Sequence, residues 1–397
     1  MFLQSLKARN PELIRAAVRF HREGSIPANS YVLDLDAMEE NARLLSAEAA
    51  KHGLRVFGMA KQFSRHAQAL NAVAKGGIDA FVAVDLACAR AIHGNGHRLG
   101  HLGHLVQIPQ AEAATAMAMT PDYWTVFSLD KAREISEHCR RKGSVQSLLL
   151  RIHAEGDTFY HGHEGGFSAE TLETAVEAIQ AMEGLRFAGL TSFPALLYDG
   201  KAQEVLPTHN LATLKQAAAR LSGGAGRHIE INAPGTTSCV ALQTLAEAGA
   251  TQVEPGHALT GTTPLHAVRE LPERPAMLHL SEVSHAHGGK PFFFGGGLYI
   301  DPVFPDYPLK ALVGADPDAL MAQEVAAEIP PDSAIDYYGI LHPSKSQRIR
   351  TGDTVILGFR AQAFVTRAYV VGIEGLASGQ PQVSGIHSSD GRDVRWP

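Results

Sequence analysis

The sequence is poor in cysteine, has no concentrated basic run and lacks a long apolar span. Its three cysteines, Cys88, Cys139 and Cys239, are widely separated and odd in number, which argues against a disulfide framework and favours a reducing compartment. The N-terminal segment MFLQSLKARNPELIRAAVRFHREG has an amphipathic helical pattern, without the uninterrupted apolar core of a signal peptide. No stretch is long enough to cross a bilayer. We therefore expect a cytoplasmic protein with no membrane partner.

Charge and composition exclude further classes of partner. The formal net charge is −6, so there is no electrostatic footprint for nucleic acid or for an anionic membrane surface. With 397 residues, of which 45% are hydrophobic and 19% charged, the chain can bury a large core and is expected to form two domains. A small-molecule substrate is the partner that these features favour.

Short β-rich runs alternate with helical segments from Tyr31 onward. After the first strand, in YVLDLDAMEEN, the predicted strands are LRVFGMA, DAFVAVD, HLVQIP, YWTVFSL, SLLLRIH, RFAGLTS, HIEINAP and ATQVEP. They are apolar on both faces, as strands of a covered parallel sheet are. The pattern predicts a (β/α)8 TIM barrel. A doubly wound open sheet is the alternative, but no GxGxxG motif follows the first strand.

The residue composition changes after about residue 265, where Gly, Pro and β-branched residues predominate, as in RTGDTVIL. We predict an N-terminal helical segment over residues 1–29, the barrel over residues 30–265 and a mostly-β domain over residues 266–397. The fold class is thus α/β, with a barrel followed by a β-domain.

Candidate functional residues lie where the predicted barrel strands end, because active sites of such barrels form at that face. Lys61 follows the first apolar strand of the series. In APGTTSC, the hydroxyl groups of Thr236, Thr237 and Ser238 stand before a predicted helix, a position that suits a phosphate or a simple helix cap. Gly256, in the next loop, lets the backbone approach the same anion.

A lysine, a phosphate site and a carboxylate at one barrel face together indicate pyridoxal 5′-phosphate. The lysine would form an imine with the cofactor aldehyde. Glu254 would face the pyridine nitrogen and keep it protonated, so that the ring can accept electrons from Cα. Solvated loop residues are the alternative interpretation of both Lys61 and Glu254.

The order of these motifs resembles the alanine-racemase-like, fold-type III PLP enzymes over nearly the whole chain from Ser30. The segments AVDLACAR, GHLVQIP, TVFSLDKARE, INAPGTTSC, EPGHALTGTTP and FVTRAYVV resemble a narrower group, the YhfX-type proteins. The resemblance implies a PLP-binding barrel in which Lys61 bonds the cofactor. The other implied cofactor-binding residues are Phe193, Asn232, Thr236, Thr237, Ser238, Glu254, Gly256 and His257.

The chain departs from the family pattern in ways that bear on its activity. Alanine racemases have an arginine where Glu254 stands, whereas the basic-amino-acid decarboxylases of this fold have a glutamate. Phe193 occupies the place of a histidine that stacks on the cofactor ring. Phe294 aligns with the catalytic tyrosine of racemases, so Tyr299, Tyr337 or Tyr338 would have to replace it. Gln362 and Phe364 stand where relatives have zinc ligands, and no metal is expected.

Histidines are numerous, and three of them invite a metal hypothesis. His153, His161 and His163 follow a predicted strand, but no spaced carboxylate or cysteine set accompanies them. We interpret them as candidate substrate contacts. The stretch HGNGHRLGHLGH is interpreted as a loop without a ligand pattern.

The sequence thus predicts a PLP-dependent enzyme acting at Cα of an amino acid. Racemisation or epimerisation is the first prediction, with Lys61 and a tyrosine of a neighbouring subunit as the two bases. A decarboxylase, an aldolase or another lyase is the alternative, followed by a non-catalytic PLP carrier and a metal-dependent hydrolase. The resemblance also implies a homodimer with shared active sites.

Overall fold

Helices and strands alternate along most of the chain, and strands dominate its C-terminal part. The structure is a computed structural model that describes residues 2–223, 228–300, 308–331 and 333–397. Its helices are α1 (Phe2–Arg9), α2 (Pro11–Arg22), α3 (Leu35–Lys51), α4 (Ala67–Lys75), α5 (Leu86–Gly94), α6 (Ala113–Ala118), α7 (Leu129–Lys142), α8 (Leu172–Gln180), α9 (His209–Ser222), α10 (Cys239–Glu247) and α11 (Pro317–Ala322).

The strands fall into a parallel set and a largely antiparallel set. They are β1 (Ser30–Asp34), β2 (Arg55–Val56), β3 (Gly58–Met59), β4 (Ala80–Ala83), β5 (Arg98–Leu102), β6 (Tyr123–Val126), β7 (Gln146–His153), β8 (Phe167–Ser168), β9 (Leu185–Thr191), β10 (Leu196–Asp199), β11 (Glu204–Pro207), β12 (Glu230–Asn232), β13 (Gln252–Val253), β14 (Met277–His287), β15 (Lys290–Phe294), β16 (Lys310–Gly314), β17 (Glu324–Glu328), β18 (Tyr338–His342), β19 (Thr354–Leu357), β20 (Tyr369–Glu374) and β21 (Gln382–His387).

Two compact units divide the chain between them. The barrel unit comprises Arg43–Ala60 and Gly77–Gly256. The β unit comprises the residues up to Ala42, Lys61–Gly76 and His257–Pro397. Each unit is therefore built from segments that are distant in sequence.

A closed parallel sheet forms the barrel unit. Its strands follow the order β2, β13, β12, β9, β7, β6, β5, β4, β3. Only Phe57 separates β2 from β3, so the two ends of the sheet are halves of one strand and the sheet closes on itself. Counted in this way, the described residues contain eight parallel barrel strands, and the predicted TIM-type barrel is confirmed.

Helix α7 illustrates how local sequence defines the elements between barrel strands. The Ser128 side chain caps its start by accepting a hydrogen bond from Lys131 N at 3.2 Å. Ala132, Ile135 and Cys139 recur at helical spacing and are buried. Gly143 ends the helix with φ of 62°, a left-handed conformation that suits glycine. Capped in this way, α7 connects β6 to β7 and returns the chain to the start of the next strand.

The β unit contains a sheet in the order β15, β18, β17, β16, β19, β14, β1, β20, β21. The long strand β14 also pairs with β15, and the pairings are antiparallel except for that of β1 with β20. The predicted mostly-β C-terminal domain is confirmed.

Strand β1 lies in this sheet, whereas the sequence analysis expected the barrel strands to begin there. It pairs with β14 and with β20 through Ser30–Asp34. All five residues are buried, as they would also be in a barrel, so their apolar pattern did not distinguish the two sheets.

The N-terminal helices supply part of the core of the β unit. Leu13, Ile14 and Val18 of α2 belong to one buried cluster with Val32 of β1 and Ile356 of β19. Asn10 caps α2 and also donates a hydrogen bond to Asp34 Oδ2 at 2.8 Å. No helix in the part of the chain that the structure describes is both long and apolar enough to cross a membrane.

Candidate active site at the C-terminal ends of the barrel strands

Glu254 follows β13 and is buried inside the barrel unit, with 4% of its surface exposed. Its Oε1 accepts hydrogen bonds from Asn232 Nδ2 at 2.9 Å and from His101 Nδ1 at 2.5 Å. His104 Nε2 lies 3.7 Å from the other carboxylate oxygen, Oε2. No hydrogen-bond donor among the described residues reaches Oε2. The carboxylate of Glu254 is therefore held through Oε1, whereas Oε2 can still accept a hydrogen bond.

The charge state of Glu254 follows from competing effects. Burial alone would raise the pKa of its carboxyl group, but the charges of His104 and His101 and the hydrogen bonds from His101 and Asn232 outweigh burial. Together they lower the pKa to about 2. Glu254 is consequently a carboxylate at neutral pH.

The partners of Glu254 extend into a row of polar side chains within the barrel. His101 Nε2 lies 2.5 Å from Thr125 Oγ1 on β6. Both ring nitrogens of His101 are therefore engaged, Nδ1 with the carboxylate and Nε2 with the threonine hydroxyl. On the other side, Thr191 Oγ1 donates to Asn232 Oδ1 at 2.8 Å. The row links β6, β5, β13, β12 and β9, and it fixes the orientation of the carboxylate.

The start of α10 offers a place for a phosphate group. Ser238 occupies the N-cap position of α10, but its side chain makes no capping hydrogen bond. It is fully buried, and its hydroxyl has no hydrogen-bond partner among the described residues. Thr237 is 2% exposed, and its hydroxyl makes a long contact of 3.4 Å to Gly235 O. Buried hydroxyl groups at a helix N-terminus suit an anion. These residues fit the phosphate of PLP, while Thr236 is only half-buried.

Phe193 lies near the histidines of this site. Its ring meets that of His104 edge-on at 5.5 Å between centroids and lies 5.6 Å from the ring of Tyr160. Gly256 is buried and follows Glu254 and Pro255 directly. Met59 N, two residues before Lys61 in the chain, donates a hydrogen bond to Pro255 O at 3.0 Å. Phe193, His104, Glu254 and Asn232 thus lie together in the barrel unit, and Thr237, Ser238 and Gly256 follow the neighbouring strands β12 and β13 in the chain.

A metal ion could in principle be held by His101, His104 and Glu254, whose ligand atoms lie within 4.8 Å of one another. Both ring nitrogens of His101 already have hydrogen-bond partners, so a metal ion at this cluster would have to displace one of these contacts. The absence of a metal stays a prediction.

His153 ends β7 and His161 and His163 follow it, and the three form no metal-binding group among the described residues. His153 is half-buried and its ring lies 6.4 Å from that of Phe159. His161 and His163 are exposed, and His161 lies 3.9 Å from Glu164. His163 contributes its backbone oxygen, which accepts a hydrogen bond from Arg151 at 2.6 Å. Substrate contact by the three side chains stays a prediction.

Lys61 lies in the β unit, at the start of the short 3-10 turn Lys61–Phe63 that follows β3 in the chain. It is partly buried, and its Nζ lies 5.8 Å from the centroid of the Phe364 ring. In the same unit, His257 Nε2 lies 3.1 Å from Ala361 O. Burial, followed by the charges of Arg360 and Lys61, holds the pKa of His257 well below its usual value. His257 is therefore neutral, beside two cationic side chains.

The candidate tyrosines are exposed on the β unit. Tyr299 is 40% exposed, Tyr337 63% and Tyr338 38%. Tyr338 stands directly opposite Phe294 in the pairing of β15 with β18, with 5.9 Å between the ring centroids. Tyr338 is thus the cross-strand neighbour of the residue that replaces the family tyrosine.

The sequence analysis missed the two histidines that hold Glu254. It interpreted the segment containing His101 and His104 as a loop without a ligand pattern, and this was wrong: His101 lies on β5 and both side chains are buried. The predicted strand HLVQIP was also displaced, because β5 is Arg98–Leu102. The available signal was a polar residue within an apolar strand near its C-terminal end, but a register shift between Leu99 and His101 breaks the alternation that would have indicated its face.

Comparisons with known proteins agree with this architecture. Residues 33–264 match the family model "Alanine racemase, N-terminal domain", and residues 278–383 match "YhfX-like, C-terminal domain". The uncharacterized protein YhfX of Escherichia coli (strain K12) is 40% identical over 394 residues, which are 99% of this chain and 100% of that protein.

Solved structures share the fold at low sequence identity. D-threonine aldolase from Filomicrobium marinum has a TM-score of 0.68 and 18% identity, covering 93% of this chain and 96% of that one. Alanine racemase of Clostridium difficile 630 has a TM-score of 0.63 and 17% identity, covering 92% and 99%. D-threo-3-hydroxyaspartate dehydratase from Delftia sp. HT23 has a TM-score of 0.66 and 17% identity, covering 92% and 98%. The chain belongs to the alanine-racemase-like, fold-type III family of PLP-dependent enzymes, in its YhfX-type group.

Proposed function

We propose that this protein is a PLP-dependent enzyme that acts at Cα of an amino acid, and that it racemises or epimerises its substrate. The observation that carries the proposal is the buried, ionised Glu254 with its donors Asn232 and His101. A fixed carboxylate of this kind is the group that keeps a pyridine nitrogen protonated. A metal-dependent hydrolase built on His153, His161 and His163 has no comparable support, since these three form no metal-binding group in the part of the chain that the structure describes.

The cofactor would be held by residues whose chemistry fits its parts. Lys61 would supply the amine that bonds the aldehyde carbon. Ser238 and Thr237 hydroxyls, Thr236 and the amides of Gly256 and His257 would hold the phosphate. Glu254 would meet the pyridine nitrogen, with Asn232 fixing the carboxylate, and Phe193 would pack against the ring. When bound, PLP withdraws electrons from Cα, so that a bond to this carbon can break.

The remaining steps belong to side chains of the protein. Lys61 would remove or return the Cα proton on one face, and a tyrosine would do so on the other. Tyr338 is the first candidate because it stands opposite Phe294, with Tyr299 and Tyr337 as alternatives. We propose that the tyrosine comes from the β unit of a second subunit in a homodimer, which explains its exposure here. A cytoplasmic location belongs to the same proposal.

A decarboxylase, an aldolase or another lyase is the second candidate. Glu254, in place of the arginine of alanine racemases, favours a strongly electron-withdrawing cofactor ring, and Phe294 removes the usual racemase tyrosine. Solved structures with this fold include a D-threonine aldolase and a D-threo-3-hydroxyaspartate dehydratase. A PLP carrier without catalysis is the third candidate, although the additional β unit speaks against it.

Cofactor binding is tested by adding PLP to the purified protein and recording the visible absorbance. Borohydride reduction followed by peptide mass analysis should place a pyridoxyl group on Lys61. Lys61→Ala should abolish the adduct, whereas Lys75→Ala, at an exposed lysine of α4, should retain it. A wild-type protein that takes up no PLP would refute the proposal.

Incubation of the holoenzyme with a panel of amino acids in deuterated water distinguishes the reactions. Racemisation gives deuterium at Cα together with the opposite enantiomer. Decarboxylation gives an amine, and a lyase gives a carbonyl product. No exchange with any amino acid would leave only the carrier.

A further inference from the structure

Arg151 is a buried cation with incomplete hydrogen bonding. It lies on β7 with 1% of its surface exposed. One guanidinium nitrogen, Nη2, donates a hydrogen bond to His163 O at 2.6 Å. Nε and Nη1 are buried and have no hydrogen-bond acceptor among the described residues. The side chain therefore has unused donors in the interior of the barrel unit.

Aromatic rings line the guanidinium group of Arg151. Its central carbon lies 4.9 Å from the centroid of the Phe127 ring and 5.6 Å from that of Phe159. These contacts stabilise a cation through the ring faces and keep water from those sides. The rings provide no oxygen acceptor, so Nε and Nη1 still lack a hydrogen-bond partner among the described residues.

The charge of Arg151 is not balanced by a neighbouring acid. Burial lowers its pKa to about 10, so the group is still protonated at neutral pH. The favourable charge of Glu164 acts on it, but Glu164 is an exposed residue, and no ion pair joins them in the described part of the chain. A buried charge without a partner destabilises the folded protein. An anionic ligand would remove this cost.

Strand register places Arg151 on the same face as the polar row around Glu254. Arg151 pairs with Thr191, and Thr191 donates to Asn232, which in turn donates to Glu254. Thr125, which binds His101, pairs with Leu149, two residues before Arg151 on β7. Alternate residues of a strand face the same side, so Arg151 faces the barrel interior near the C-terminal end of β7.

We propose that Arg151 binds a carboxylate group of the amino-acid substrate. This inference rests on the proposed function, since it takes the polar row around Glu254 as the reaction site. Arginine recognises carboxylates through charge-assisted hydrogen bonds, and the aromatic rings hold its plane in place. A carboxylate paired with Arg151 is stabilised as an anion, so the arrangement favours reactions that leave it in place over decarboxylation.

Calorimetric titration of the PLP-loaded protein with sodium propionate, at constant ionic strength, tests the subsite. Propionamide, a neutral molecule of similar shape, is the matched ligand control. Wild-type protein should bind propionate and not propionamide. Arg151→Met should weaken propionate binding by about ten- to a hundredfold, as expected for the loss of a charge-assisted hydrogen bond. Arg133→Met, at an exposed arginine of α7, should bind like the wild type.

Two further measurements keep the test decisive. Arg151→Lys retains the charge and should keep part of the affinity, and it replaces Arg151→Met if that variant does not fold. Thermal unfolding of Arg151→Met should occur at an unchanged or higher temperature, because the variant removes an unpaired buried charge.

Alaninamide and aspartic acid α-amide then distinguish which carboxylate binds. Loss of binding with both compounds indicates the α-carboxylate, and retained binding of aspartic acid α-amide indicates a side-chain carboxylate.

The outcomes separate this inference from the proposed function. Propionate binding that is absent, or unaffected in Arg151→Met, would overturn the subsite even if PLP binds normally. A protein that binds no PLP but binds propionate through Arg151 would retain the subsite and refute the proposed function. Normal propionate binding in Arg151→Met, with only the cofactor absorbance altered, would assign Arg151 to the cofactor instead.

Discussion

The ionisation of Glu254 gives a stability prediction that needs no ligand. The pKa of its carboxyl group is lowered from 4.5 to about 2. Since one pKa unit corresponds to about 1.4 kcal/mol, the ionised form contributes about 3 kcal/mol to the free energy of unfolding at neutral pH. A group with a depressed pKa stabilises the fold above its ordinary pKa and loses this effect as the pH falls toward the depressed value.

Glu254→Gln removes the titrating group and keeps nearly the same volume. We expect the stability difference between wild type and Glu254→Gln to be largest above about pH 5 and to shrink as the pH falls from about 4.5. By about pH 3 it should have decreased by about 2 kcal/mol, with the remainder lost toward about pH 2. High salt should change the difference little, because the carboxylate is buried.

Urea unfolding followed by tryptophan fluorescence measures this difference. Trp124, on β6, is fully buried and reports on the barrel unit. The other tryptophan, Trp396, is replaced by phenylalanine in every protein compared, so that only Trp124 contributes. Glu177→Gln, at an exposed position of α8, serves as the control for the loss of one surface carboxylate. A constant difference between wild type and Glu254→Gln from pH 6 to pH 3 would refute the assignment.

Three further substitutions have defined outcomes. Thr125→Val leaves a buried nitrogen of His101 without its hydroxyl partner and should lower the free energy of unfolding by about 1–3 kcal/mol in the same urea assay. Gly235→Ala would place a Cβ 2.6 Å from Leu196 N and 2.8 Å from Leu196 O, and should cost about 1–3 kcal/mol and weaken PLP binding measured by absorbance. Tyr338→Phe should abolish enantiomer interconversion in a chiral chromatography assay and leave PLP absorbance unchanged.

Matched variants control these three predictions. Thr125→Ser restores a hydroxyl and should recover most of the stability. Gly94→Ala, where nothing lies within 4 Å of the added Cβ, should leave stability unchanged or slightly higher. Tyr299→Phe and Tyr337→Phe should retain interconversion if Tyr338 is the base; loss in either of them alone would move the role to that tyrosine.

Strand periodicity predicts the barrel well because each buried strand is an apolar run between helical segments. LRVFGMA and SLLLRIH coincide closely with β2–β3 and β7. Strand β1 was misplaced because a strand buried on both faces has the same pattern in a parallel barrel and in the sheet of the β unit. Its partners, β14 and β20, lie far along the chain, where local sequence gives no information about pairing.

The candidate site was predictable only in part. Glu254 and the hydroxyl groups before α10 stand in motifs that connect strand and helix, so their neighbours in sequence indicate their role. His101 and Arg151 lie inside strands, where a polar residue has no motif around it. Their importance depends on which residues face them across the barrel, and this follows from register that the sequence does not display.

The pairing of β1 between β14 and β20 has a consequence for biosynthesis. The ribosome completes β1 before any barrel strand, yet its two neighbours emerge only after the last barrel strand, β13. Until then β1 has open edges, and such edges favour association with other chains. A polypeptide that stops after the barrel would contain β1 without either neighbouring strand. A polypeptide that starts at β14 would lack β1 between β14 and β20. Two co-expressed fragments divided between α10 and β14 should consequently need each other for folding.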